Sequence, residues 1–145
     1  MERWELARLT DSMLTGVSQI DSQHQVLINI LNEMAAEVTS PSDARRFDRV
    51  TRDLLAYVIT HFEAEEQLIR ESGYAIADPD GARAHIGQHR GFADRVLALR
   101  ARAADGDAAS QADLLAFLRD WLFHHIATTD QNLGRFVGSR HISRV

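Results

Sequence analysis

Sixteen Lys and Arg against 21 Asp and Glu in 145 residues give a formal charge of −5, which argues against a nucleic-acid partner. The chain has no cysteine, which excludes disulfides, thiolate metal sites and cysteine nucleophiles and leaves histidine and carboxylate to bind any metal. With 45% hydrophobic and 26% charged residues it reads as one compact domain over 1–145. The longest apolar run, 54–59, falls far short of the roughly 20 residues that cross a bilayer, and the N-terminus lacks a signal-peptide core. A cytoplasmic protein with no membrane partner is the expectation.

The two prolines, Pro41 and Pro79, sit among turn-forming residues and mark helix junctions. Ile20, His24, Leu27, Leu31 and Met34, spaced by fours and threes, predict a first helix over about 21–39. Phe47, Val50, Leu54, Tyr57, Val58, His61, Glu65 and Leu68 predict a second over about 42–71, closed by Gly73. The stretch 75–81, with Asp78, Pro79 and Asp80, reads as a loop ending in an N-cap. A third helix, about 81–105, carries His85, His89, Phe92, Val96 and Leu99. Residues 105–107 break the pattern, Ser110 with Asp113 resembles a capping box, and a fourth helix follows over about 110–137. Short connections between long amphipathic helices imply antiparallel neighbours. The predicted fold is all-α: an up-down-up-down antiparallel four-helix bundle with an extended N-terminal arm.

The apolar stripes carry polar residues where a core is expected: His24 in the first helix, His61 and Glu65 in the second, His85 and His89 in the third, His125 in the fourth, with Asp130 beyond. A carboxylate in an apolar core is costly unless paired or metal-bound, and bundle cores are where facing helices build metal sites. His61/Glu65 and His85/His89 are four apart, so each pair shares a helix face. His125 and Asp130 are five apart, about 140° of rotation on an ideal helix, so either Asp130 reaches inward from the flank or the helix is locally distorted. A lone histidine on a seam is usually a hydrogen-bonded core residue, but four converging stripes are not four coincidences. Five imidazoles and two carboxylates suit iron or another first-row divalent ion, and seven donors suit two ions sharing carboxylates better than one. By contrast, His124 and Glu63 read as surface residues, His141 lies in a polar tail, and Trp121 and Phe117 read as core. Glu66 reads as solvated, with a role behind the metal-facing residues left open.

These residues carry a resemblance over nearly the whole chain: Trp4, Gly16-Val17, Ile20-Asp21-Ser22-Gln23-His24, His61-Phe62 with Glu65-Glu66, Gly73-Tyr74, His85, His89, Trp121-Leu122, His125-Ile126 and Asp130. The ordered set H, HxxxE, HxxxH, HxxxxD resembles the hemerythrin family of di-iron oxygen-binding proteins in its bacterial stand-alone form. The resemblance implies one non-heme iron held by His85, His89 and His125 and a second by His24 and His61. Glu65 and Asp130 would bridge them, with an oxo or hydroxo group as third bridge. It also implies dioxygen at an open position of the two-histidine iron, behind an apolar wall of Leu27, Phe62, Leu122 and Ile126. The implied role is reversible oxygen binding for storage, delivery or sensing, the last through a protein partner not identifiable from the sequence. The alternative is a di-iron enzyme with oxidase, peroxidase or nitric-oxide chemistry. Against it, no Glu here has His three residues later, and two carboxylates make a poor match to carboxylate-rich oxidase sites. The chain departs from the family in having Ala75 after Gly73-Tyr74 where a proline is usual, and a longer step from Tyr74 to His85, so the approach to the third helix is expected to differ.

Overall fold

The computed structural model describes residues 7–39, 44–103 and 107–142. Trp4, Pro41, the predicted helix ends at 42–43 and 104–105, and the His141 side chain lie outside the described residues. Six helices follow one another: α1 (Ser18–Thr39), α2 (Ala44–Glu71), α3 (Tyr74–Ala77), α4 (Pro79–Ala103), α5 (Ala108–Ala127) and α6 (Thr129–Ile142), and no strand occurs among the described residues. The helix α1 packs on α2 and α5, and α4 packs on α5 and more loosely on α2. Early residues of α1 and α4 (His24, His85) meet late residues of α2 and α5 (His61, His125), so the four long helices alternate in direction as expected.

Two apolar clusters hold them. The larger joins Leu27, Leu31 and Met34 of α1, Leu54, Val58 and Phe62 of α2, Phe92, Val96 and Leu99 of α4, and Leu114, Leu115, Leu118 and Leu122 of α5. Each such side chain contributes roughly 1.5–3 kcal/mol on burial. The smaller unites Ile69, Tyr74, Ala82 and Leu133, which ties the end of α2 to α3, the start of α4 and α6. The buried Thr51 hydroxyl is satisfied by donating to the Phe47 carbonyl one turn back.

Several boundaries differ from the periodicity, each for a local reason. Instead of starting near 21, α1 begins at Ser18, and Asp21 in its first turn accepts from Thr15 N and Oγ1 at 2.8 Å each and from Gly16 N at 3.2 Å. Gly16, at φ +84°, permits that turn. The supposed loop 75–81 is mostly helical: after the single turn of α3, Asp78 breaks the chain and Pro79 opens α4, where its missing N–H costs nothing. The Asp78 carboxylate accepts from Gly81 N at 3.0 Å. The residues between Tyr74 and His85 are thus divided between α3 and the start of α4. The α5 cap is Asp107, not Ser110: Asp107 Oδ2 accepts from Ser110 N at 3.1 Å and Ser110 Oγ at 2.7 Å.

The fourth predicted helix is not continuous. Thr128 (φ −120°, ψ −72°) separates α5 from α6, its N–H and hydroxyl both donating to the His124 carbonyl. Gln131 Nε2 donates to the Ile126 carbonyl at 3.2 Å, and to Met13 O in the arm at 2.8 Å. The described part of the arm, residues 7–17, is extended apart from one 3-10 turn, Asp11–Met13. It is pinned to α1 by the reciprocal pair Ala7 N to Asn32 Oδ1 (2.8 Å) and Asn32 Nδ2 to Ala7 O (3.1 Å).

The arm also needs Gly134, because a Cβ there would lie 2.5 Å from the Thr15 carbonyl oxygen. Gly134→Ala is expected to lose roughly 1–3 kcal/mol of stability by overpacking. Gly138→Ala, with open space around the new methyl, is expected to be neutral or stabilising. Urea denaturation of the two variants checks this.

Candidate metal centre

The ends of α2 and α5, the starts of α1 and α4, and the first turn of α6 converge on one volume. Into it project all seven polar residues singled out by the sequence: His24, His61, Glu65, His85, His89, His125 and Asp130, each at most 3% exposed. They form two groups that could each hold a metal ion: Glu65, His85, His89 and His125, and His24, His61, Glu65 and Asp130. Within each group the ligand-type atoms lie within 4.8 Å of one another.

The five imidazoles all point Nε2 inward. Glu65 Oε1 lies 3.1 Å from His89 Nε2, 3.4 Å from His85 Nε2, and 3.5 Å from both His61 and His125 Nε2. Asp130 Oδ1 lies 3.0 Å from His125 Nε2 and 3.3 Å from His85 Nε2, while its Oδ2 faces His24 Nε2 at 2.9 Å. Each carboxylate therefore touches histidines of both groups. The break at Thr128 makes this possible: it removes the 140° mismatch and lets His125 and Asp130 enter the same volume.

The donor set is not self-sufficient. His24 Nδ1, Glu65 Oε2 and His85 Nδ1 are buried without a hydrogen bond, and His24 Nε2 and both Asp130 oxygens lie close to their neighbours without meeting them in hydrogen-bond geometry. His89 and His125 bring their Nε2 atoms to 3.2 Å, where at most one proton fits between them. Native cores rarely tolerate such a concentration of unmet polar atoms, and cations bound among them would satisfy the inward lone pairs together. Titration points the same way. Burial first, then the His24 charge, lowers His61 to about 3; burial lowers His85 to about 4, and burial with the His125 charge lowers His89 to about 2. These imidazoles are neutral, as a metal requires. The two carboxylates are driven apart: burial and the Asp130 charge push Glu65 well above its ordinary range. Burial also pushes Asp130 upward, but its contacts with Glu65, His125 and His24 outweigh this and hold it well below.

The outward faces of the imidazoles are fixed by residues the helical spacing did not reveal. His61 Nδ1 meets Gln23 Oε1 at 2.6 Å, His89 Nδ1 meets Glu66 Oε2 at 3.0 Å, and His125 Nδ1 meets Gln88 Oε1 at 2.8 Å. An acceptor on Nδ1 keeps the proton there and leaves the Nε2 lone pair pointing inward. Glu66 thus has the role that the sequence left open. Gln23 and Gln88 carry one faint signal, a Gln-His dipeptide repeated in α1 and α4, yet each serves a histidine across the bundle rather than its neighbour. Trp121, expected only as core, is half-buried and stacks on His125 at 4.6 Å between centroids, as Phe62 stacks on His89 at 3.7 Å. Phe117 does pack in the core. Leu27, Phe62, Leu122 and Ile126 are buried at positions adjoining the centre, whereas Glu63 and His124 are exposed.

A family model, the Hemerythrin HHE cation binding domain, matches residues 15–137. The chain belongs to the hemerythrin family. A bacteriohemerythrin of Stenotrophomonas maltophilia is 34% identical over 121 residues, covering 83% of this chain and 74% of the relative. A bacteriohemerythrin of Pseudomonas aeruginosa is 30% identical over 120 residues, with the same coverage. One of Methylococcus capsulatus is 28% identical over 120 residues, 83% of this chain and 87% of the relative. As a hemerythrin, the chain is a metal-binding domain of the oxygen-binding type. No helix among the described residues is long and apolar enough to cross a membrane.

The metal-free chain should lose stability as the pH falls below 6.5. Between the ordinary carboxyl value of 4.5 and the ordinary imidazole value of 6.5, the unfolded chain protonates His61, His85 and His89 while the fold keeps them neutral. Glu65, raised by burial, acts in the opposite direction but is one group against three. Stability therefore falls as the pH drops, by up to roughly 1.4 kcal/mol per unit for each of the three imidazoles, less the opposing Glu65 contribution. Above 6.5 the three imidazoles are neutral in both states and their contribution is level. Urea midpoints of chelator-treated protein from pH 5 to 8 check this; a flat profile contradicts it.

Proposed function

We propose that this hemerythrin binds dioxygen reversibly at two non-heme irons, in a cytoplasmic setting, and that it carries oxygen rather than turning it over. His85, His89 and His125 would hold one iron and His24 and His61 the other, with Glu65 and Asp130 bridging. The observation that carries the reading is the unequal division of histidines around shared carboxylates. Each carboxylate touches both sets, three imidazoles stand on one side and two on the other, and Glu65 Oε2 and both Asp130 oxygens are buried without a hydrogen bond. The two-histidine side therefore has one imidazole fewer, and an external molecule would bind there. The iron pair, with an oxo or hydroxo bridge, would supply the electrons that dioxygen takes up and returns.

The remaining work falls to the chain. Glu65 and Asp130 supply negative charge that offsets the cations in a medium without water. Gln23, Glu66 and Gln88 hold three imidazoles in the inward-facing tautomer. Leu27, Phe62, Leu122 and Ile126 form a wall that bars water and anions, the agents that would make oxygen binding irreversible.

Anaerobic reconstitution with ferrous iron should give two irons per chain and a spectrum that cycles with oxygen and vacuum. A single zinc that iron cannot replace overturns the reading. Glu65→Ala should lose metal far more readily than Glu66→Ala, by metal analysis after gel filtration. Leu122→Ala, at a packing cost of roughly 2–5 kcal/mol, should retain two irons yet oxidise faster in air. Leu118→Ala, one turn further from the ligands on α5, should lose packing without that change, as read by stopped-flow absorbance.

A further inference from the structure

Gln88 does more than the other two residues that accept from the imidazoles. Its Oε1 meets His125 Nδ1 at 2.8 Å and also accepts from Thr129 Oγ1 at 2.8 Å. A carbonyl oxygen has two lone pairs, so this atom is filled by those two donors. They lie on opposite sides of the break at Thr128: His125 is in the last turn of α5, and Thr129 is the first residue of α6, directly before Asp130. One atom of α4 thereby spans the discontinuity. Gln23 serves His61 alone and Glu66 serves His89 alone, each acting on a continuous helix.

We propose that Gln88 is the positioning residue that sets the geometry of the His125/Asp130 pair, by clamping both ends of the α5–α6 break with a single oxygen. The need for such a clamp follows from the backbone. An unbroken helix orients successive side chains through its own hydrogen bonds, but Thr128 interrupts that ladder between the two residues; Gln131 Nε2 crosses the break to the Ile126 carbonyl, while the His125 ring itself is held from α4. Gln88 is half-buried and comes from a third helix that itself carries His85 and His89, so the clamp registers α5 and α6 against the rest of the centre. Because Asp130 touches histidines of both groups, a loosened break disturbs both metal positions, whereas loss of Gln23 disturbs one. The metal consequence rests on the function proposed above; the clamp itself does not.

Two readouts separate these. The first is amide hydrogen exchange of residues 128–132 in the metal-free chain. Gln88→Leu and Thr129→Val should speed exchange there, and the double variant should exchange no faster than Gln88→Leu, since both act through one oxygen. Gln23→Leu should leave it unchanged. Gln88→Glu keeps an acceptor of the kind Glu66 already provides to His89, and should restore protection. The second is titration with cobalt(II), followed by its visible absorption. Gln88→Leu should weaken both binding events by about 10–100-fold and shift the spectrum, while Gln23→Leu should weaken one. Unchanged exchange in Gln88→Leu, or additive effects in the double variant, overturns the inference. If exchange responds as stated but wild-type protein takes up no cobalt, the metal reading falls and the clamp stands.

Discussion

Water is nearly absent around seven ionisable side chains at the middle of this bundle, and most of the structure is a response to that. An isolated carboxylate in such a place costs several kcal/mol, and two of them beside five imidazoles cannot all find protein partners. The chain reduces the cost in two ways. It suppresses charge, keeping His61, His85 and His89 neutral and driving Glu65 toward its protonated form while Asp130 keeps its charge more readily. It also orients what remains, so that every imidazole turns Nε2 toward a shared centre. Both arrangements leave lone pairs waiting for cations, which is why the same residues that weaken the empty fold would hold it together when loaded.

Orientation is achieved with unlike devices at unlike positions. Flat aromatic rings press on His89 and His125 from Phe62 and Trp121, and amide or carboxylate oxygens take the Nδ1 protons of three imidazoles. A ring held on its face and at its outer nitrogen has little freedom left, so the inward nitrogen is placed before any ion arrives. Such preorganisation lowers the ordering cost of binding and makes the site selective for ions that accept the spacing offered.

Much of this was legible in the order of residues. The four seams predicted four long antiparallel helices, and the polar residues interrupting those seams are the ones that meet in the structure, because helical periodicity fixes which face a residue occupies. The spacing of His125 and Asp130 was informative as a tension, since a five-residue step demanded either a reach from the flank or a local distortion, and the helix is interrupted at Thr128. What stayed hidden depends on contacts across the bundle. Gln23 and Gln88 sit one position off the seam, at angles where a helix face meets its neighbour, and only the packing of α1 on α2 and of α4 on α5 tells which imidazole each reaches. The cap of α5 was misplaced because Asp107 and Ser110 form a bond pair whose direction composition does not encode.

The two apolar clusters lie on either side of the polar centre, one along the long helices and one joining the end of α2, α3, the start of α4 and α6. They differ greatly in size, and the centre is the seam where they meet. Unfolding need not be a single event in such a molecule. The small cluster has few side chains to lose and is the natural first region to open, while the large one can persist as a scaffold that already displays His61 and Glu65 on an intact helix. A loaded centre would fasten the two units together, and the molecule would then melt as one body rather than shed its smaller half first.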